Sequence, residues 1–282
     1  IMILDYDFEN TKNAYSDIKT KEMKLYLADL QQECNLRNIP VIIIVEGWES
    51  SGKGYILNEL TERLDTKSYR VKVFDPKDKE NYIFTKSYWS NLPAKGNFAI
   101  YNRSSYNKLF LKLDRDQETT DRKISYLLQT EDTLINDETI IIKFFINISK
   151  ETQRKHIETL AYDEYRDFMV TDNDVYQNLY YDKYASHIDK ILEKSSTKQA
   201  PWHIINGENL KDARKFVIGT CMDIIRAKLE EVKEEEPKKR SYKPIDILGQ
   251  IDMDKSVSLD KYEKEIVELQ QEAGNLAYKL YV

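Results

Sequence analysis

A glycine-rich stretch near position 50 carries the first sign of chemistry in this sequence. In order, it consists of Gly47, Trp48, Glu49, Ser50, Ser51, Gly52, Lys53 and Gly54. The part from Gly47 to Lys53 fits the pattern G-x-x-x-x-G-K. Loops of this pattern bind phosphate oxygens through backbone N–H groups and the start of the following helix, and their lysine reaches a terminal phosphate.

The residues on either side of the loop support that interpretation. Residues 41–45 are a continuous apolar, β-branched run, which predicts a strand buried on both faces. Ile56, Leu57 and Leu60 follow the loop at helical spacing. The alternative is a plain glycine turn between a core strand and a helix, with Lys53 solvated. One feature departs from the pattern, because Gly54 stands where a serine or threonine would hold a metal ion.

The composition excludes several classes of protein. The chain has 282 residues, of which 41% are hydrophobic and 33% are charged, so it has enough apolar residues for a sizeable core. Its apolar runs are too short to span a bilayer, and the acidic start does not resemble a signal peptide. Cys34 and Cys221 lack metal-ligand spacing and fit a reducing, cytoplasmic location. The net charge of −6 disfavours non-specific binding to DNA or RNA.

Strand and helix patterns alternate along the chain. Apolar runs predict five strands, at 41–45, 69–74, 97–101, 139–148 and 202–206. Helices are predicted at 11–38, from the glycine loop to about 64, and at 79–91, 105–136, 150–195, 212–229 and 259–280. Such alternation predicts an α/β fold with a parallel sheet and helices on both faces.

We predict three segments from these elements. Residues 1–40 form a helical lead-in, residues 41–232 form the α/β domain, and residues 233–282 form a charged linker with a last helix. The sequence Leu30-Gln31-Gln32-Glu33 recurs as Leu269-Gln270-Gln271-Glu272 in that last helix. The repeat is either a coincidence between two amphipathic helices or the trace of a tandem duplication, with the last helix leading into a second unit.

Five stretches resemble, in order, the polyphosphate kinase 2 family, and in particular its tandem polyphosphate:AMP phosphotransferases. Residues 47–54 resemble the family pattern G-W-D-A-A-G-K-G, and residues 89–96 resemble W-R-x-L-P-x-x-G. Residues 101–106 are similar to F-D-R-S-W-Y, and residues 143–153 to K-F-W-x-x-x-S-K-x-x-Q. The last match comprises Ala200-Pro201-Trp202 with Ala213-Arg214. The resemblance runs from about residue 20 to residue 230.

The resemblance implies a P-loop kinase-like three-layer sandwich with a parallel five-stranded sheet and a helical lid at about 150–195. It also implies phosphoryl transfer between polyphosphate and a nucleoside mono- or diphosphate, with AMP favoured and Mg²⁺ as cofactor. The catalytic residues would be Glu49, Lys53 and Arg103, and Glu49 and Asn102 would face the metal. The phosphate-binding residues would be Gly47, Trp48, Ser50, Ser51, Gly52, Gly54, Lys150 and Lys155. A second homologous domain or a second copy of the chain would be the protein partner.

Several departures from the family pattern predict a weakened site. Asn102 replaces an aspartate, and an amide has no charge to offer Mg²⁺, which prefers carboxylate and water. Ser87 and Ser90 stand where two arginines are usual, so two bidentate phosphate contacts are lost. Glu49 keeps a carboxylate on a side chain one methylene longer than aspartate.

Two functions follow from these observations. The first is an enzyme that transfers a phosphoryl group between polyphosphate and AMP with Mg²⁺. The departures predict that this chain alone turns over slowly or not at all. The second is a non-catalytic phosphate-binding or structural unit that supports a second, active domain.

Overall fold

The computed structural model describes residues 3–75, 84–234 and 256–281. The chain divides into two compact units, Ile1–Glu235 and Glu236–Val282. Residues 79–83 of the predicted helix at 79–91, and most of the linker and irregular segment predicted at 233–258, lie outside the described residues. No helix among the described residues is long and apolar enough to cross a membrane.

Five parallel strands form the central sheet of the first unit, in the order β2-β3-β1-β4-β5. The strands are β1 (Val41–Gly47), β2 (Tyr69–Val73), β3 (Phe98–Asn102), β4 (Ile140–Asn147) and β5 (Trp202–Asn206). The predicted five-stranded parallel sheet is therefore confirmed. Every residue of β1 and β4 is buried, which explains why their sequences lack the alternation of a half-exposed strand.

Helices connect these strands and cover both faces of the sheet. They are α1 (Thr20–Leu36), α2 (Lys53–Thr61), α3 (Lys86–Trp89), α4 (Asn107–Phe110), α5 (Gln117–Asn136), α6 (Lys150–Ala161), α7 (Asp172–Leu179), α8 (Tyr181–Ser195) and α9 (Leu210–Glu234), with a short 3-10 helix at Asp167–Met169. The second unit contains α10 (Leu259–Tyr281).

The core has two apolar layers, one on each face of the sheet. Alternate residues of β1 divide between them: Ile42 and Ile44 pack with α4, α5 and α8, and Ile43 packs with α1, α2 and α9. This division gives the predicted three-layer sandwich and leaves the carboxyl ends of the strands free to carry a site.

A buried ion pair fixes α5 against the sheet. Lys143 on β4 contacts Glu131 on α5 at 2.7 Å, and both side chains are almost fully buried. Lys143 also donates to the carbonyl oxygen of Ser195 at 2.8 Å, and Tyr106 donates to Glu131 at 2.9 Å. Since each charge has its opposite and further hydrogen bonds, the pair is tolerated inside the core.

The predicted helical region at 105–136 divides in two, α4 and α5. The carboxylate of Asp116 accepts a hydrogen bond from the backbone N–H of Thr119 at 2.7 Å and caps α5. The predicted lid at 150–195 likewise divides into α6, α7 and α8. Thr171 and Asp174 form a capping box at the start of α7.

Candidate functional site

The glycine-rich loop lies between β1 and α2, as the sequence predicts. Gly47 has φ of 151°, and an added Cβ would lie 2.6 Å from the carbonyl oxygen of Ile146 on the neighbouring strand. Gly52 has φ of 85°, and an added Cβ would lie 2.7 Å from the side chain of Leu210. Both positions therefore require glycine, because the loop passes close to β4 and α9.

Trp48 fixes the loop against β4 and α8. Its indole N–H donates to Asn147 Oδ1 at 2.8 Å, and its ring stacks on Tyr181 with 4.1 Å between the centroids. The backbone N–H of Trp48 donates to the carbonyl oxygen of Ile146 at 3.3 Å. In this conformation Trp48 ties the loop to β4 and α8, and its predicted contact with phosphate stays a prediction.

A cavity of about 760 Å³ opens above the loop. Loop residues from Glu49 to Gly54, together with Asn102 and Arg103 at the end of β3, form its polar wall. Residues 156–174 contribute both apolar side chains, Leu160, Phe168 and Met169, and charged ones, Arg166 and Asp174. The cavity therefore brings together the predicted catalytic residues Glu49, Lys53 and Arg103 with residues of the predicted lid.

Two residues at this cavity have a backbone conformation that side chains disfavour. Ser50 has φ of 57° and Arg103 has φ of 63°. Arg103 is held there by its own N–H, which donates to the carbonyl oxygen of Val45 at 3.0 Å. Strained residues of this kind cluster at functional sites, where the surrounding structure holds them in place.

Lys53 is buried and turned back onto the loop. Its ammonium donates to the carbonyl oxygens of Trp48, at 2.5 Å, and of Gly47, at 3.2 Å. Burial lowers the pKa of Lys53, and the nearby charge of Glu49 opposes that shift. The ammonium of Lys53 is thus bonded to the loop itself, and its predicted contact with phosphate stays a prediction.

Glu49 and Arg103 form an ion pair that neutralises both groups. The guanidinium contacts both carboxylate oxygens, with 3.3 Å between Nε and Oε1. Burial alone would raise the pKa of Glu49, but the charge of Lys53 and the hydrogen bond from Arg103 outweigh it and lower that pKa. Glu49 is therefore a carboxylate in the folded protein.

Glu46, one residue before the loop, is a buried acid that the sequence analysis missed. Its Oε1 accepts a hydrogen bond from the Ser104 hydroxyl at 2.7 Å, and its Oε2 has no partner among the described residues. Burial raises its pKa to about 7, against the smaller effects of Ser104, Lys53 and Arg103. Its position directly between an apolar run and the glycine-rich loop was the only signal in the sequence.

The residues of this conformation do not form a site for Mg²⁺. Glu49 already has Arg103 as its partner, and Asn102 offers one neutral oxygen, Oδ1, which is buried without a partner among the described residues. No group of three or more His, Cys, Asp or Glu side chains in the described part of the chain could hold a metal ion. Magnesium usually needs one or two free carboxylates in addition to substrate phosphates and water.

Other predicted residues lie outside the cavity. Lys150 begins α6, and Lys155 lies on the exposed side of α6 beside Glu151, at 3.5 Å. Ser87 and Ser90 lie in and just after α3. None of these four residues lines the cavity as described, so the predicted phosphate contacts of the two lysines stay predictions.

Most of the chain matches the sequence model of one known protein family. The sequence model of the polyphosphate kinase 2 (PPK2) family matches residues 9–238, which is more than half of the chain. The chain belongs to the polyphosphate kinase 2 family. The resemblance that the five motifs carry is thereby confirmed at the level of the family.

Individual PPK2 relatives are distant in sequence. A polyphosphate:AMP phosphotransferase of Pseudomonas syringae pv. tomato is 27% identical over 253 residues, covering 85% of this chain and 50% of the relative. An ADP-polyphosphate phosphotransferase 3 of Rhizobium meliloti is 27% identical over 230 residues, covering 79% of this chain and 80% of the relative. The chain thus spans half the length of the first relative and most of the second.

The fold is shared with solved PPK2 structures. The crystal structure of polyphosphate kinase 2 from Arthrobacter aurescens TC1 matches with a TM-score of 0.73 and 20% identity, covering 95% of this chain and 93% of that one. Together with the five-stranded parallel sheet, this match shows the predicted P-loop kinase-like fold.

Proposed function

We propose that this chain is a phosphotransferase unit that moves a phosphoryl group between polyphosphate and a nucleotide, with AMP the favoured acceptor. The observation that carries the proposal is the convergence of Lys53, Arg103 and the lid on one cavity above a glycine-rich loop. Phosphoryl transfer depends mainly on positioning and on offsetting charge, and these are the elements that such a site supplies. The names of the relatives add AMP and ADP as candidate acceptors.

Weak turnover is part of the proposal. The transition state for transfer from polyphosphate gathers several negative charges, which cations must offset. Here Arg103 is paired with Glu49, and Lys53 contacts backbone carbonyls. Asn102 adds no charge. Mg²⁺ is the cofactor that the resemblance implies, and no step is assigned to it because the described donors do not form its site.

A test of the proposed activity should follow product identity. We expect the full chain, incubated with polyphosphate, Mg²⁺ and AMP, to form ADP, and to form ADP faster than it forms ATP from ADP. Lys53→Ala should remove that product, which separates the activity from a contaminant. If no nucleotide gains a phosphate under conditions in which a relative is active, the catalytic proposal is wrong.

The second candidate, a non-catalytic phosphate-binding or structural unit, is favoured by the same internal pairing of charges. It predicts that pyrophosphate binds and that no acceptor is phosphorylated. A calorimetric titration with pyrophosphate beside the transfer assay distinguishes the two.

We also propose that α10 packs against a second homologous unit or a second copy of the chain. The support is the repeated Leu-Gln-Gln-Glu. In α1, Leu30 is 3% exposed, and Gln31 is hydrogen-bonded to both backbone groups of Asp65. In α10 the matching Leu269 is 60% exposed. Sedimentation of the chain and of Leu269→Glu tests the second-copy form, which requires a dimer that the substitution dissociates.

A further inference from the structure

The glycine-rich loop already has hydrogen-bond acceptors from the protein at positions where a phosphate would be expected. The N–H of Glu49 donates to Gln177 Oε1 on α7 at 2.8 Å. The N–H of Ser51 donates to the carbonyl oxygen of Trp48 at 3.3 Å, and the N–H of Trp48 is bound by β4. Three loop amides are therefore engaged within the protein.

A carboxylate from the lid lies beside the loop as well. Asp174 on α7 is 4% exposed and lines the cavity. Its Oδ1 accepts a hydrogen bond from the Ser50 hydroxyl at 2.6 Å. Its Oδ2 accepts from the backbone N–H and the hydroxyl of Thr171, at 2.9 and 2.6 Å. The carboxylate is thus fixed on both sides and presents a negative charge to the loop.

Helix α6 also contacts Glu49 and Ser50, through their carbonyl oxygens. Gln153 donates to the carbonyl oxygen of Glu49 at 3.1 Å, and its amide lies 3.4 Å from Gln177 Oε1. The Nδ1 of His156 lies 2.8 Å from the carbonyl oxygen of Ser50. Because α6 binds carbonyl groups, its contacts leave the loop N–H groups free, whereas α7 occupies a donor and adds a charge.

We propose that α7 is an autoinhibitory latch, in which Asp174 and Gln177 hold the loop closed and exclude a phosphate-bearing ligand until α7 withdraws. The inference rests on the proposed function, since it concerns phosphate binding at the same loop. A phosphate placed beside Asp174 would meet a like charge, and it would have to displace Gln177 from the N–H of Glu49. The family pattern has alanine at position 50, so the hydroxyl that engages Asp174 is a departure of this chain.

Only molecules with an open latch bind ligand, so the apparent affinity is the intrinsic affinity multiplied by the open fraction. Losing one charge-assisted hydrogen bond from the closed state should therefore tighten ligand binding by about tenfold. Ser50→Ala is the informative variant because it removes the hydrogen bond and leaves every charge in the cavity. It restores the residue of the family pattern, and its hydroxyl has no role in the core.

The test is calorimetric titration of the full chain with pyrophosphate. We expect Ser50→Ala to bind about tenfold more tightly than the wild type, and Asp174→Asn at least as tightly as Ser50→Ala. Asp172→Asn is the matched control, because it removes the same charge from an exposed position on the same helix. If Asp174→Asn tightens binding and Ser50→Ala does not, the effect is one of charge alone and the latch is wrong.

Hydrogen exchange without ligand provides a readout that does not depend on phosphate binding. The latch predicts that Ser50→Ala accelerates exchange over residues 172–179 by about tenfold and leaves β4 unchanged. Unchanged exchange in α7 would overturn the latch. Accelerated exchange with no pyrophosphate binding in any variant would instead support the latch and count against the proposed function.

Discussion

Arg103, at the end of β3, binds both carboxylate oxygens of Glu49 in the glycine-rich loop. Both residues line the cavity, so the pair occupies the place where substrate charge would be received. A guanidinium that already has a carboxylate partner offers less to a phosphate than a free one. This pairing supports the proposal that the site binds substrate charge weakly although the backbone of the loop fits the phosphate-binding pattern.

Removing the carboxylate should free the guanidinium. We expect Glu49→Gln to bind pyrophosphate about tenfold more tightly, because a buried negative charge is lost and Arg103 is released. The fold should become less stable by about 3 kcal/mol, since Lys53 and Arg103 then lack their buried partner. Calorimetry and urea unfolding measure the two effects. Glu158→Gln, on the exposed side of α6, is the control. Equal pyrophosphate affinities in the wild type, Glu49→Gln and Glu158→Gln would show that the ion pair does not limit binding.

Two glycines of the same loop should respond to alanine in opposite directions. Gly47→Ala should cost about 2–4 kcal/mol of stability, because its Cβ would lie against the backbone of Ile146 at a positive φ. Gly54→Ala should stabilise by about 0.5–1 kcal/mol, because nothing lies within 4 Å of the added Cβ and alanine favours the helix. Urea unfolding of both variants is the measurement, and a loss at Gly54 as large as that at Gly47 would show that the local packing is not as described.

Much of the fold could be predicted from the sequence because its signals are local. A strand buried on both faces, such as β1 or β4, needs a continuous apolar run, and that run is visible. The break between α4 and α5 was not predicted, because the capping signal of Asp116 lies within a continuous helical pattern. The glycine loop followed from its spacing and its flanking elements.

The closed state of the loop could not be predicted in this way. Asp174 and Gln177 reach the loop from more than a hundred residues away, and their local pattern predicts only a capping box at α7. Arg103 pairs with Glu49 from a backbone conformation with φ of 63°, for which the sequence has no marker. Whether a charge is free or paired is a property of the tertiary structure.

The buried acid before the loop should make stability depend on pH. The pKa of Glu46 is about 7 in the fold, against an ordinary value of 4.5, so the folded state binds its proton more readily. Its contribution is fully present below about pH 4.5 and is lost as the pH rises through 7, on the order of 3 kcal/mol in total. Glu46→Gln should lack this dependence.

Urea unfolding between pH 5 and pH 8 tests this expectation. The stability of Glu46→Gln relative to the wild type should increase from pH 5 to about pH 7 and then level off towards pH 8. Exposed Glu164→Gln is the matched control and should follow the wild type. A constant difference between Glu46→Gln and the wild type would show that Glu46 does not titrate there.

Restoring the family residues should recover activity in steps. Asn102→Asp alone should raise the transfer rate little, because the arginines remain absent. Adding Ser87→Arg and Ser90→Arg should raise it further, by up to about a hundredfold for each transition-state contact regained. Initial rates of ADP formation by the wild type, by Asn102→Asp and by the triple variant measure this stepwise recovery. Full recovery by Asn102→Asp alone would show that the arginine positions are unimportant.

The most direct measurement is the rate at which the full chain forms ADP from AMP with polyphosphate and Mg²⁺. A typical enzyme turns over about ten times per second. We expect a rate at least about a hundredfold below that value, with the remainder abolished in Lys53→Ala. Turnover of several per second by the unmodified chain would contradict the account, and Glu49 would then have to release Arg103 and carry the metal.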